Sequence, residues 1–280
     1  MPLNDTVAAE LTGETIFVFS DIHLNILPKS KREGLLRFFS SVVKRRANRL
    51  YLNGDIIDFF APNFSNEVTA DLRRFIDLLY EISGSGVTVH YNIGNHDLPL
   101  LLYFRQKHSE HGALDVFHEY GPVQLSSNLF LNYRSIRFTY AKKQVHLEHG
   151  HIYDPGWTHS DNWRELFNRA ATAPLDGSFV ENVLNIKELF KELKDDSAYR
   201  LIKTGSEMPV ALYASNEARR LTKDRKADWV ILGHFHIPAI EEIEGGFTYA
   251  NSGDSWQHSN YLVLTGEEIR LGDWHETVGS

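Results

Sequence analysis

The stretch Leu50 to Asp58, reading Leu-Tyr-Leu-Asn-Gly-Asp-Ile-Ile-Asp, constrains this 280-residue chain more than any other. Leu50, Tyr51 and Leu52 are too apolar for a loop and too short a run for a helix, so they predict the end of a buried strand. Gly54 breaks the strand and sets Asp55 on the turn that follows. In an α/β sheet, the turn beyond a strand's carboxyl end is where ligands gather. The same arrangement recurs at Ser20-Asp21-Ile22-His23, Gly94-Asn95-His96-Asp97 and Gly233-His234-Phe235-His236. A fifth turn, His149-Gly150-His151, follows a run of alternating apolar residues. The expectation is an α/β fold in which these turns converge on one dinuclear metal site, with the Asp55 carboxylate bridging the two ions.

The rest of the chain supplies the strands and helices this requires. Thr15 to Phe19 is β-branched and aromatic and predicts a first strand. Lys31 to Arg46 predicts a helix, with Leu35, Phe38, Phe39 and Val42 as its apolar stripe. A second helix is predicted over Val68 to Ile82, stopped by Ser83-Gly84-Ser85-Gly86, and a third strand over Val87 to Tyr91. Alternation of this kind predicts a parallel sheet with right-handed crossovers. Beyond a helix near Leu98 to Lys107, the short alternating runs from Val116 to Leu147 predict antiparallel strands of a second sheet. Pro155 to Lys226 shows only helical patterning. Trp229 to Leu232 predicts a strand into the last motif, and Ala239 to Ile243, Phe247 to Asn251, Tyr261 to Leu264 and Glu268 to Leu271 predict a closing antiparallel set.

Residues 1–280 are thus read as a single domain, with 155–226 a helical insertion. Its stripe Phe179, Val183, Ile186, Phe190 and Leu193 has two readings: a lid lining an apolar pocket, or a packed extension or dimer contact. Arg219, Arg220 and Lys223 are candidate contacts to an anionic head group, or else a solvated basic face. The chain has no cysteine, which excludes disulfides and thiolate metal sites. A formal charge of −8 argues against a nucleic-acid surface, which needs a basic face, but permits a small anionic substrate held by metal ions. No apolar run is long enough to cross a bilayer, and the N-terminus lacks the pattern of a signal peptide. The expected location is the cytoplasm, with peripheral membrane contact left open; nothing in the sequence specifies an oligomer.

Singly, each motif has a bland alternative. Asp-x-His occurs in surface turns, and Asp58 in Gly-Asp-x-x-Asp is read as a residue that holds the turn or a metal-bound histidine. The specificity comes from the set. Asp, His, Asp, Asn, His and His in this order, each after an apolar strand, form an oxygen-and-nitrogen shell suited to manganese, iron or zinc. His96 cannot easily share a metal with Asn95, because adjacent side chains point apart. His151 is read as a second-sphere donor or a substrate contact, with replacement of His149 as ligand the alternative. The Gly253-Asp254 turn either caps the site or is a plain hairpin turn. His90, His108, His111, His118, His146, His159, His258 and His275 have no motif context and are read as structural or exposed.

Asp-x-His, Gly-Asp-x-x-Asp, Gly-Asn-His-Asp, a lone His and Gly-His-x-His together resemble the calcineurin-like metallophosphoesterase superfamily, with every element present between residues 21 and 236. The resemblance implies a four-layer α/β/β/α sandwich. It implies one metal held by Asp21, His23, Asp55 and His236, and a second held by Asp55, Asn95, His149 and His234. It also implies that His96 protonates the leaving oxygen while Asp97 orients or charge-stabilises it.

The chemistry expected of such a centre is hydrolysis of a phosphoester or pyrophosphate. Two divalent ions, manganese first and iron or zinc otherwise, lower the pKa of a bridging water, and the resulting hydroxide attacks phosphorus in line. Three phrases, Tyr51 to Phe59, His149 to Asp154 and Tyr249 to Trp256, are similar to the UDP-2,3-diacylglucosamine pyrophosphatase-like branch, whose founding members hydrolyse a lipid A precursor. That points to a small phosphorylated substrate, nucleotide-sugar or lipid-linked. Pyrophosphatases of that branch often carry arginine where this chain has His96, and a histidine suits a phosphomonoesterase or phosphodiesterase equally. The rival readings are a nuclease of the same superfamily, disfavoured by the acidic charge, and a non-catalytic interaction module, which would be expected to lack ligands that are present here.

Overall fold

A computed structural model of the chain describes residues 8–11, 13–61, 64–103, 121–133, 135–153, 178–193, 227–243 and 245–275. The strands are β1 (Ala8–Leu11), β2 (Ile16–Phe19), β3 (Arg49–Asn53), β4 (Thr88–Ile93), β5 (Val123–Ser126), β6 (Leu129–Tyr133) and β7 (Ile136–Tyr140). They continue with β8 (Lys143–Leu147), β9 (Trp229–Leu232), β10 (Ala239–Ile243), β11 (Phe247–Asn251), β12 (Asn260–Thr265) and β13 (Glu268–Asp273). The helices are α1 (Lys29–Phe38), α2 (Asn66–Gly84) and α3 (Phe179–Leu193).

Two sheets form the frame, one of seven strands ordered β13-β12-β2-β3-β4-β6-β5 and one of six ordered β1-β7-β8-β9-β11-β10. The strands near the middle are apolar throughout because both of their faces are covered. On β2, Phe17 and Phe19 point into the core shared with the helices, while Ile16 and Val18 point into the core between the sheets. Leu50 and Leu52 divide from Tyr51 in the same way on β3. On β9, Trp229 and Ile231 face the other sheet, and Val230 and Leu232 are buried on the outer face beside Tyr153, Phe235 and Tyr249.

The helices close the other side of the seven-stranded sheet. Ser65 caps α2 by accepting from the Val68 N–H, and Val68, Leu72, Phe75, Leu79 and Ile82 form its buried stripe. α1 runs on through a π-type turn at Phe39–Val43, and Phe38 and Phe39 are both fully buried. Arg32, buried on α1, clamps the two helices through Asp71 at 2.7 Å and Glu67 at 3.0 Å, and donates to the Leu27 carbonyl at 2.7 Å.

Two sequence expectations change. The run from Val116 to Leu147 does not make one antiparallel sheet. β6 adds parallel to β4 in the first sheet with β5 as its edge partner, and only β7 and β8 enter the second sheet. The closing strands divide likewise. β10 and β11 pair antiparallel in the second sheet, where β11 runs parallel to β9, whereas β12 and β13 return to the first sheet against β2. Alternation reports that one face is buried, not which neighbour supplies the hydrogen bonds. Of the two readings left open for the insertion's stripe, the packed one fits Phe179, Val183 and Ile186 of α3, which lie in the core shared with α2 and Leu98–Leu100, with the Phe179 and Tyr103 rings 5.5 Å apart. Full burial of such side chains contributes about 1.5–3 kcal/mol each, so this turn of the insertion packs as core. The side chains of Phe190 and Leu193, and residues 104–107 of the expected helix, lie outside the described residues, as does the rest of the insertion.

Candidate metal centre

β2, β3 and β4 lie side by side and parallel, and their carboxyl ends deliver Asp21, Asp55 and the Asn95-His96 pair to one edge of the sheet. From the second sheet, the ends of parallel strands β8 and β9 deliver His149 and the His234-His236 turn. The turns are laced together by backbone bonds: the N–H groups of Asp21 and His23 donate to the carbonyls of Gly54 and Asp55, each at 2.9 Å. The Gly233 N–H donates to the His149 carbonyl at 2.9 Å, which ties the two turns of the second sheet.

The local backbone is strained for a purpose. Eight non-glycine residues among those described have left-handed φ, and five of them are Asp21, His23, Asp55, His234 and His236. Such conformations cost of order 1–3 kcal/mol each and persist where surrounding structure imposes them. Two glycines make room for the side chains. A β-carbon on Gly94 would lie 2.1 Å from Asp55 Oδ1, and one on Gly54, whose φ is +88°, would lie 2.4 Å from the His149 ring.

The side chains form one cluster. Asp55 Oδ2 lies 3.2 Å from His149 Nε2, 3.9 Å from His23 Nε2 and 4.0 Å from His96 Nε2. Asp55 Oδ1 accepts from the His96 backbone N–H at 2.8 Å. Asp21 Oδ1 lies 3.1 Å from His236 Nε2, and Oδ2 accepts from the His234 backbone N–H at 2.9 Å. Asn95 Oδ1 is 3.1 Å from His149 Nε2 and 3.0 Å from His234 Nδ1. Asp21, His23 and His236 present ligand atoms within one cation's reach, as do Asp55, His149 and His234, and His23, Asp58 and His96. His151 is buried with its ring 5.5 Å from that of His149. Arg219 and Arg220 lie outside the described residues.

The electrostatics ask for a cation. His149 Nδ1 faces the Asn53 carbonyl at 2.8 Å, so in the neutral ring Nδ1 carries the proton and Nε2 is a bare lone pair. That lone pair faces two oxygens that also only accept. Both ring nitrogens of His23 are buried without a hydrogen-bond partner. Hard oxygen and imidazole donors converging in this way fit a divalent metal. A proton is the other remedy. Burial opposes charge on His149, yet Asp55 and Asp21 push its pKa up to about 9. Burial works against ionisation of Asp55 and Asp21 too, but the histidines win: His149 and His96 hold Asp55 well below the usual carboxylate range, and His236 and His149 lower Asp21. At His23, burial first and the His96 charge second bring the pKa down to about 4.

Asp58, rather than Asp97, touches His96. Asp58 Oδ1 lies 2.9 Å from His96 Nδ1 while accepting from the Phe60 and Ala61 N–H groups at 2.9 and 3.0 Å. Burial opposes charge on His96, but Asp55 and the adjoining Asp58 carboxylate raise its pKa to about 9. Asp97 is turned into the loop, where it accepts from the N–H groups of Ile56, Ile57 and Gly94 and from the Tyr91 hydroxyl. Its own burial and the Asp55 charge push it up to about 7, while the four donors favour its ionised form. Asp97 thus braces the Asp55 turn and reaches His96 only through its field, because its lone pairs are already committed.

Sequence reasoning missed Asn25 and Glu148 among the supports around this cluster, and left the Gly253-Asp254 turn as either a cap on the site or a plain hairpin turn. Asn25 joins the first two turns by donating to the Asp58 carbonyl and accepting from its N–H, both at 2.8 Å. Asp254, buried beyond β11, stands 3.9 Å from His236 Nδ1 and 3.0 Å from His258 Nδ1. Glu148 is buried against His146 at 2.9 Å and the Tyr153 hydroxyl at 2.8 Å. Only Asp254 had a signal, its place in a Gly-Asp turn.

Two packed sheets carry a histidine–carboxylate cluster at the carboxyl ends of their parallel strands, and this cluster is a candidate metal-binding site. The chain belongs to the calcineurin-like phosphoesterase family, which matches residues 14–238. That family is one of phosphoesterases that depend on metal. A UDP-2,3-diacylglucosamine hydrolase of Porphyromonas gingivalis is 30% identical over 105 residues, covering 35% of this chain and 38% of that protein. The match thus spans well under half of that relative. Among solved structures, vacuolar protein sorting 29 of Cryptosporidium parvum is 13% identical, covering 92% of this chain and 89% of its own, with a TM-score of 0.41. TT1561 of Thermus thermophilus is 12% identical, covering 93% and 99%, with a TM-score of 0.37. No helix among the described residues is long and apolar enough to cross a membrane.

Proposed function

We propose that the protein hydrolyses a phosphoester or pyrophosphate bond at a centre of two divalent ions, manganese in the first instance. Asp21, His23 and His236 would hold one ion, Asn95, His149 and His234 the other, and Asp55 both. The observation that carries the reading is the position of Asp55: one carboxylate oxygen faces His149 from the second sheet and His23 from the first, 3.2 and 3.9 Å away. Bound there, such ions supply Lewis acidity towards phosphoryl oxygens and lower the pKa of water.

The chain's own contribution is proton handling and orientation. His96 sits beside Asp55 with its side chain 34% exposed, and its Nδ1 is held by Asp58. The Asp58 carboxylate beside Nδ1 favours the protonated ring, and Nε2 would give its proton to a departing alkoxide. General acid catalysis of this kind contributes typically about 10²–10⁴-fold. Asp97 keeps the Asp55 turn in place while that transfer occurs. For the substrate we favour a nucleotide-sugar or lipid-linked phosphate, supported by the partial similarity to the Porphyromonas protein.

Elemental analysis and turnover together test the reading. Wild-type protein loaded with manganese should hold two ions and cleave an aryl phosphate and, more efficiently, a nucleotide-sugar diphosphate. Asp55→Asn should lose at least one ion and all turnover. Two ions retained by Asp55→Asn would remove Asp55 from its shared role.

A further inference from the structure

We infer that Trp256, with Ile237 beside it, is a ring-binding wall at the rim of the centre and selects substrates by stacking on a ring of the leaving group. The inference rests on the phosphoester reading above and adds the recognition element that reading lacks.

The first observation is where the fold leaves large apolar side chains in water. Among the described residues these are Trp256 at 47% exposed, Ile237 at 41%, Leu271 at 39% and Ile240 at 38%. Scattered exposure of single apolar residues is ordinary and means little. The four divide by their place in the fold. Ile240 lies on β10 and Leu271 on β13, the neighbouring edge strands of the two sheets. Ile237 directly follows His236, and Trp256 lies in the turn that leaves β11 and crosses to β12.

The second observation ties that turn to the centre. The Ser255 N–H donates to the Asp21 carbonyl at 3.2 Å, and Asp254 approaches His236 Nδ1 to 3.9 Å. The two turns also touch each other, since a β-carbon at Gly253 would lie 2.9 Å from Pro238 Cδ. Trp256 and Ile237 therefore sit one residue beyond groups that contact or form the cluster.

The third observation is that the backbone under the exposed indole is held fast. Lys31 Nζ donates to the Trp256 carbonyl at 2.6 Å, the Ser255 carbonyl at 3.3 Å and Ser259 Oγ at 3.2 Å. Inside the turn, Asp254 accepts from the Gln257 N–H and pairs with His258. A fixed backbone bearing a flat, half-exposed ring needs little further ordering to bind a second ring, which is the condition for an efficient contact.

Charge decides the kind of occupant. Acidic residues outnumber basic ones along this edge: Glu241 and Glu242 on β10 and Glu267, Glu268 and Asp273 along the β12–β13 hairpin, against Arg270, which pairs with Glu268, and Lys31 under the turn. Such a rim repels an anionic lipid surface. It tolerates an uncharged ring whose phosphate is neutralised at the centre. A nucleobase and a sugar share that chemistry, and each offers a face to an indole.

The test compares matched phosphonates binding to the manganese-loaded full-length protein by calorimetry, so no turnover is needed. Stacking of a ring on an aromatic side chain is expected to make 2-phenylethylphosphonate bind about tenfold tighter than ethylphosphonate, ~1.4 kcal/mol. Trp256→Ala should erase that tenfold preference and leave ethylphosphonate affinity and the unfolding midpoint unchanged, and Trp256→Phe should keep most of it. A preference that survives in Trp256→Ala overturns the inference. So does a Trp256→Ala protein that loses ethylphosphonate as well, which would mean the indole acts on the turn. An octylphosphonate that gains as much as the phenyl compound through Trp256 would assign an acyl chain instead and overturn the ring. Wild-type protein that binds no ethylphosphonate refutes the phosphoester reading itself.

Discussion

Asp58→Asn separates the charge of Asp58 from its hydrogen bonds. The amide oxygen can still accept from the Phe60 and Ala61 N–H groups, so the turn should survive. What goes is the carboxylate 2.9 Å from His96 Nδ1. Hydrogen bonds to charged groups contribute about 1.5–3 kcal/mol and neutral ones about 0.5–1.5. The difference of roughly 1–1.5 kcal/mol corresponds to about one pKa unit, and solvent around the partly exposed ring screens some of it. Because Asp58 raises His96 from its ordinary value towards about 9, its neutral replacement should bring His96 down by up to about one unit. The assay is kcat/KM against pH on a phosphoester with a poor leaving group. The alkaline limb, where the acid is lost, should move to lower pH by that amount with the metal content unchanged. Asp58→Ala should do the same and also lower the unfolding midpoint, since two backbone donors lose their acceptor. An unchanged limb in Asp58→Asn would refute the orienting role. Loss of an ion would refute it differently, by making Asp58 a ligand in the His23–Asp58–His96 group.

His96→Ala should keep both ions and lose rate by about 10²–10⁴-fold on poor leaving groups but much less on an activated aryl phosphate; equal losses along a leaving-group series would point to a binding role. Gly94→Ala places a β-carbon 2.1 Å from Asp55 Oδ1, so it should fold with reduced metal content and little turnover, and a variant with full metal content would show that the turn yields. Without metal, His149 and His96 titrate near 9 against about 6.5 when unfolded. Their contribution to stability is thus fully present below about pH 6.5 and lost as pH rises through about 9. Thermal unfolding in chelator should show a midpoint that falls over that window, while manganese-loaded protein should stay flat across it. Val183→Asp, which buries a charge between α3 and α2, should destabilise by several kcal/mol; a small effect would mean that α3 is dispensable to the core.

The turns that converge on the cluster were legible because each is a local pattern. A run such as Ile16 to Phe19, with both faces apolar, can only be a strand covered twice, and the Asp, His or Asn after it must lie at its end. Gly54 and Gly94 were legible as turn residues, although only the structure shows that their missing β-carbons make room for His149 and Asp55. Other features depend on partners far away in sequence. Whether β6 joins β4 or the second sheet is a choice of hydrogen-bonding neighbour, and alternation along one strand does not encode it. The role of Asp58 depends on His96, 38 positions later, and the bond from His149 to the Asn53 carbonyl spans 96. The resemblance made Asp97 the residue that orients or charge-stabilises His96, yet Asp97 turns into the loop and it is Asp58 that reaches His96 Nδ1. Residue identities set which groups could ligate, donate or cap; the packing of one sheet on the other decided which atoms face each other, because non-local distances exist only once the chain is folded.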